Sequence, residues 1–257
     1  MSKKNASVKN DISLAEWALV DEFRVGGFKT LDFPRIARED FNLNGIEFVN
    51  TLFEVPTIEY LKTLKQRAAD HGIEMILIMV DDEGDGCADS KKERKQFVTN
   101  HQKWVDAAHF LGCQAIRTNC RGPQNVKKKE ALKWAAETYH MLLEYSKSSD
   151  ITIVIENHGG VSDDADFMLK LMKEVDNPLF GTYPDWRNPG LDYDNVVYLK
   201  KMLPYAKGMS YRNQPDDALT KKMIGLCKES GYRGWYGIES RGREEIRKGI
   251  SLLKEYL

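Results

Sequence analysis

Eight short apolar runs recur along the chain, and each gives way to polar residues and then to a longer amphipathic stretch. The runs cover 11–19 (DISLAEWAL), 45–50 (GIEFVN), 72–80 (GIEMILIMV), 113–119 (CQAIRTN), 151–156 (ITIVIE), 178–185 (PLFGTYPD), 206–212 (AKGMSYR) and 234–240 (GWYGIES). Several are continuous rather than alternating, as expected for strands covered on both faces. Between them apolar positions recur at helical spacing. Ile58, Leu61, Leu64 and Ala68 share a face of 57–70 behind a Thr57 cap, and Phe97, Trp104, Ala108 and Leu111 do so in 96–112. Further helices are predicted over 129–147, over 162–175 with Ser162 as its cap, and over 193–203, 217–230 and 243–256.

Strand followed by helix, repeated, predicts parallel pairing through crossovers. Eight such units in 257 residues predict an α/β chain folded as a (β/α)8 TIM barrel. A doubly wound open sheet would place a Gly-rich phosphate loop after its first strand. This chain has EWALVDEFRVGG there. No Gly/Ser-rich or Pro-rich linker interrupts the sequence, so 1–257 is expected to be a single TIM-barrel domain, with 1–10 a flexible N-terminal segment.

Composition narrows the partners. The 38 basic and 39 acidic residues leave a net charge of −1, which argues against nucleic acid. The basic clusters at 91–95 (KKERK) and 127–129 (KKK) read as solvated helix starts and faces. No apolar run is long enough to span a membrane, and the polar N-terminus has no hydrophobic signal core. Cys87, Cys113, Cys120 and Cys227 form no CxxC pair, so reduced thiols in the cytoplasm are expected.

In a barrel the chemistry sits at the C-terminal ends of the strands. Polar residues collect there: Glu47 and Asn50, Asp81 to Asp85, Arg117 and Asn119, Glu156 to His158, Asp185 with Arg187 and Asn188, Ser210 and Arg212, Glu239 and Arg241. Glu156, Asp185 and Glu239 each close a run on a different strand. Brought together they would repel, and a divalent cation or a neighbouring arginine (Arg117, Arg187, Arg212, Arg241) could neutralise them. His158, two residues past Glu156, would share its face and titrate near neutrality, as a substrate or ligand contact. Trp17, Phe53, Tyr183 and Trp186 could line a sugar's apolar face or plug the barrel. Gly159 and Gly160 turn the chain or let backbone approach a ligand.

At these residues the chain resembles the sugar phosphate isomerase/epimerase family, the xylose isomerase-like and AP endonuclease family 2-like TIM barrels. The resemblance runs nearly end to end, from SLAEWAL to GIESRG, and rests most on IENHGG, GTYPDWRN and GYRGWYGIESRG. IEFVN, LIMVDDEG and WVDAAHFLGCQAIRTN match a subgroup whose members mostly lack assigned substrates. It implies a xylose isomerase-like barrel, a carbohydrate substrate, and one divalent metal held by Glu156, Asp185 and Glu239. Mn²⁺ or Mg²⁺ come first, and Zn²⁺ after them. It also implies Glu156 and Glu239 as the acid–base pair, with His158, Asn119, Arg117, Arg212, Asn188 and Trp17 around the substrate. A homo-oligomer fits the family pattern. Two departures stand out. The strand-7 histidine is replaced by Ser210, with Arg212 where a lysine is common, and Asn188 stands where epimerases often place a histidine.

Three readings follow. The first is a sugar, keto-sugar or polyol isomerase or epimerase working through an enediolate. The second is a lyase or dehydratase on keto-sugar or inosose-like substrates, using the same site. The third is a sugar-binding barrel without turnover.

Overall fold

The computed structural model describes residues 11–187 and 194–257, so the expected flexible segment 1–10 and Asn188 lie outside it. Eight strands form one parallel sheet: β1 (Asp11–Ala15), β2 (Gly45–Val49), β3 (Glu74–Met79), β4 (Ala115–Thr118), β5 (Thr152–Ile155), β6 (Phe180–Thr182), β7 (Met209–Tyr211) and β8 (Trp235–Ile238). Their order is β6-β5-β4-β3-β2-β1-β8-β7. The β6–β7 seam closes through two parallel bridges, Thr182 with Ala206 and Asp185 with Ser210. The result is a nearly closed (β/α)8 barrel, and all eight predicted strands are present.

The helices are α1 (Val20–Arg24), α2 (Phe33–Phe41), α3 (Ile58–Asp70), α4 (Lys91–Leu111), α5 (Lys128–Ser146), α6 (Ala165–Val175), α7 (Asn195–Met202), α8 (Asp217–Glu229) and α9 (Arg243–Tyr256). Thr57 caps α3 as expected, its hydroxyl accepting from Tyr60 N. The cap of α6 is Asp164, not Ser162. Its carboxylate takes the Asp166 and Phe167 N–H groups, while Ser162 lies in a 3₁₀ turn and accepts from His158 N. α4 begins five residues earlier than expected, behind Ser90, so KKERK forms its first turn. Arg94 departs from the solvated reading, being buried with Nη1 on the Ala88 and Asp89 carbonyls. The short α1 and α2 were not anticipated; Pro34 opens α2 and Asn42 closes it in the left-handed conformation.

Two cores result. Outward strand residues pack against the helices, among them Leu14, Ile46, Phe48, Ile116, Ile153, Ile155 and Ile238. A smaller cluster fills the barrel: Ala15, Val49, Leu77, Met79, Ala115, Val154 and Tyr183 among others. The four cysteines are free and buried. Among the described residues no helix is long and apolar enough to cross a membrane.

Candidate active site

Side chains on a barrel strand alternate between interior and helices, so one residue's direction fixes that of the residue two further on. In β5, Ile153 and Ile155 face the helices and Val154 the interior, which carries Glu156 to the interior side at the mouth. The same parity brings Arg117 in after Ala115, and Asp185 in after Tyr183. It brings Ser210 and Arg212 in between and beyond the outward Met209 and Tyr211, and Glu239 in after the outward Ile238. Glu156, Asp185 and Glu239 thereby converge. One carboxylate oxygen of each lies within 4.8 Å of the others, and all three residues are buried.

A cavity of about 880 Å³ opens above them. Its wall includes Glu156, Glu239 and five of the residues expected around a substrate: Trp17, Arg117, Asn119, His158 and Arg212. Asp185 is not on that wall. Of the other aromatics, Phe53 packs among Phe48, Tyr60 and Trp104, Trp186 against Tyr211 and Tyr236, and Tyr183 fills the barrel, so these three plug rather than line. Gly160 answers to a close approach, but of backbone. A Cβ there would sit 2.0 Å from Arg121 O.

Guanidinium groups neutralise the carboxylates. Arg117, with its side chain 1% exposed, places Nη1 2.7 Å and Nη2 3.3 Å from the Asp81 oxygens and Nε 2.8 Å from Glu156 Oε2. The last contact is an ion pair without a directed hydrogen bond on either atom. Arg212 Nε lies 2.8 Å from Asp185 Oδ1, and its Nη2 2.5 Å from Glu239 Oε2. Arg187 Nε lies 3.2 Å from Asp185 Oδ2. Ser210 Oγ is 2.6 Å from Glu239 Oε2 and 3.4 Å from Asp185 Oδ1. Arg241, the fourth candidate partner, instead faces Asp21 on the rim.

These surroundings set the protonation. Burial pushes the Glu156 carboxyl well above the carboxylate range, against the pull of Arg117. Burial also raises Glu239, opposed by Arg212. Asp81 is also buried, but the Arg117 charge prevails and holds it near 2. His158 is pushed down to about 3, first by burial and then by Arg117 and Arg121. It is therefore neutral at physiological pH, which corrects the expectation that it titrates near neutrality. Its Nδ1 lies 2.9 Å from Asn119 Oδ1 and 3.0 Å from Arg121 Nη2.

Two asparagines do the same structural work at different strand ends. Asn50 donates to Asp81 O and accepts from Asp81 N; Asn157 donates to Asp185 O and accepts from Asp185 N. Each clamps the main chain of the aspartate on the next strand, so the amide in IENHGG serves Asp185. Asp81 belongs with the site and was detectable, since it closes the third apolar run as Glu156 closes the fifth. Arg121 was not. It lies in a loop, where no periodicity reports direction.

One layer below, the barrel holds a further carboxyl, that of Glu47. Glu47 Oε1 accepts from Ser13 Oγ at 2.7 Å, and Oε2 from the Tyr183 hydroxyl. A Cβ on residue 237 would fall 2.2 Å from Glu47 Oε2, which is why Gly237 stands there. Burial lifts Glu47 to about 7.

A family model for xylose isomerase-like TIM barrels matches residues 36–256. The chain belongs to that family. Several solved structures superpose over almost the whole chain at low identity. A xylose isomerase domain protein from Planctomyces limnophilus is 15% identical, with TM-score 0.75 and 98% of each chain covered. A 3-keto-D-glucoside 4-epimerase from E. coli is 12% identical, with TM-score 0.76, covering 96% of this chain and 100% of that one. A probable 3-DHS dehydratase from Bacillus anthracis is 15% identical, with TM-score 0.72, covering 95% and 98%. No curated protein matches by sequence. At these identities the xylose isomerase-like barrel is what is shared.

Proposed function

We propose that this xylose isomerase-like barrel is an enzyme that moves a proton at a carbon beside a carbonyl of a sugar, keto-sugar or related polyol, with isomerisation or epimerisation as the outcome. The observation that carries this reading is the convergence of two buried glutamates, Glu156 and Glu239, on the floor of a roomy polar cavity. Catalysis of this kind needs one group to take a proton and another to return it.

The two environments divide those tasks. Glu239 Oε2 receives Ser210 and Arg212, both of which favour the carboxylate against the burial that raises it, and this suits Glu239 to the base's part. Glu156 Oε2 faces Arg117 Nε without a directed hydrogen bond, and burial raises its carboxyl. It holds the proton to be delivered. Asn119, His158 and Trp17 line the wall where substrate hydroxyls and an apolar sugar face would rest. With Nδ1 taken up by Asn119 and Arg121, a neutral His158 leaves Nε2 for a substrate hydroxyl.

The three carboxylates, with oxygens within 4.8 Å and Glu156 Oε2 lacking a directed hydrogen bond, suit a divalent cation. Glu156, Asp185 and Glu239 would hold it, Mn²⁺ or Mg²⁺ before Zn²⁺, and it would polarise substrate oxygens. Buried free thiols support a reducing compartment, the cytoplasm.

A second reading keeps the proton abstraction and ends in loss of a β-leaving group. It is favoured by Ser210 in place of a strand-7 imidazole, and by likeness to a probable dehydratase. Incubating ketoses and keto-sugars in D₂O distinguishes the readings. Deuterium beside the carbonyl with mass otherwise conserved supports epimerisation or isomerisation, and loss of water or an aglycone supports elimination. Thermal stabilisation by a sugar without any exchange would mean a binding barrel, and the catalytic reading would fall.

A further inference from the structure

The residues of β7 occupy the ground between Asp185 and Glu239. The Asp185–Ser210 bridge joins the end of β6 to β7, and Glu239 N donates to Tyr211 O on the other side. Ser210 and Arg212 are therefore flanked by both acids. Their polar atoms take up the acids' facing oxygens. Asp185 Oδ1 accepts from Arg212 Nε at 2.8 Å and lies 3.4 Å from Ser210 Oγ. Glu239 Oε2 accepts from Ser210 Oγ at 2.6 Å and Arg212 Nη2 at 2.5 Å. The remaining Asp185 oxygen, Oδ2, is held by Arg187. The guanidinium of Arg212 is also anchored by the Glu239 carbonyl, 3.4 Å from Nη1. A planar fork with several donors spans two carboxylates in a way a point charge on a flexible stem cannot.

We propose that Arg212 is the resident cation of this site. Its guanidinium bridges Asp185 and Glu239 where a divalent ion ligated by them would sit, so a metal binds only when the arginine leaves. The inference rests on the reading that this cavity is the working site, but not on which reaction runs there. Two positive groups held on the same pair of carboxylate oxygens repel each other at short range. A metal would displace Arg212 Nε and Nη2 from the acids and repel the guanidinium it displaced. Arg212 is a positioning residue in this account. It fixes Asp185 against Glu239. With a side chain 31% exposed toward the cavity, it has room to swing outward.

The test uses the full chain and Mn²⁺ alone, followed by calorimetric titration and by the EPR signal of free Mn²⁺. Wild type, Arg212→Ala and Arg212→Lys are compared, and Asp185→Asn is added in the Arg212→Ala background. Wild type is expected to bind Mn²⁺ weakly. Arg212→Ala should tighten binding by about tenfold or more, Arg212→Lys by less, and Asp185→Asn should abolish the gain. Tight binding by wild type that Arg212→Ala leaves unchanged or weakens overturns the proposal. So does an Arg212→Ala protein that folds, as judged by its melting curve, yet binds no better. Should Arg212→Ala fail to fold, Arg212→Lys decides, since any folded lysine variant must bind Mn²⁺ more tightly than wild type. Absence of deuterium exchange would defeat the catalytic reading without touching this metal readout.

Discussion

The barrel buries carboxyl groups at two levels and treats them in opposite ways. At the mouth, Asp81, Glu156, Asp185 and Glu239 are interleaved with Arg117, Arg187 and Arg212. On the floor, Glu47 has Ser13 and Tyr183 as partners. Just past the end of β1, Glu16 likewise faces only neutral partners, the Thr30 hydroxyl and Val49 N–H. Among the described residues neither Glu47 nor Glu16 makes an ion pair. Without a cation, burial first, and then repulsion from Glu239 and Glu54 respectively, raises Glu47 to about 7 and Glu16 to about 8. The Thr30 hydroxyl lies 2.6 Å from Glu16 Oε1 and 2.9 Å from Leu52 O, two acceptors for one proton, which a protonated Glu16 resolves. Charge pairing keeps carboxylates chemically usable beside a cavity, whereas a proton lets a carboxyl serve as neutral packing.

That contrast can be broken at either level. The largest effect should come at the mouth. Glu239→Gln and Glu156→Gln should each lower substrate exchange in D₂O by roughly 10²–10⁴-fold while leaving the melting temperature close to wild type. Undiminished exchange in both would remove them from the acid–base role.

Next in size is Arg117→Leu. It leaves the ionised Asp81 buried without its cation and should destabilise the fold by about 3–5 kcal/mol in urea titration. A shift below about 1 kcal/mol would mean that the mouth does not depend on paired charge.

The floor should respond to pH instead. A neutral Glu47 in the folded state and an ionised one in the unfolded chain differ by a proton between pH 4.5 and about 7. Its contribution is complete below pH 4.5 and disappears as pH rises through 7, a change of roughly 3 kcal/mol from this group. Glu16 extends the window to about 8. Glu47→Gln and Glu16→Gln should therefore match wild type near pH 5 and exceed it at pH 8, flattening the stability profile. A parallel profile for wild type and both variants would show that these groups are ionised when folded.

The smallest effect tests a clamp. Asn157→Ala strips the Asp185 main chain of both side-chain partners and should destabilise by about 1–3 kcal/mol. Exchange should fall with it, because Asp185 holds Arg212 against Glu239.

Local pattern determined much of this protein. The apolar runs gave all eight strands, because a strand buried on both faces must be apolar over its length. The residues closing those runs gave Glu156, Asp185 and Glu239, because parity along a strand carries an inward direction into the mouth. Thr57 was legible as a cap because capping involves neighbours in sequence; Ser162 was misread because Asp164, two residues on, competes for the same role.

Only the tertiary structure decided the pairings. Arg117 reaches Asp81 and Glu156 from β4, and Arg212 ties Asp185 to Glu239 from β7, contacts between residues tens of positions apart that no spacing encodes. It also decided that His158 is neutral, since that follows from burial and from two arginines on another strand and its loop. The sequence alone specified which strand-end groups reach the mouth. The closure of the barrel specified which charges meet there, because electrostatic partners are set by distance in space, not along the chain.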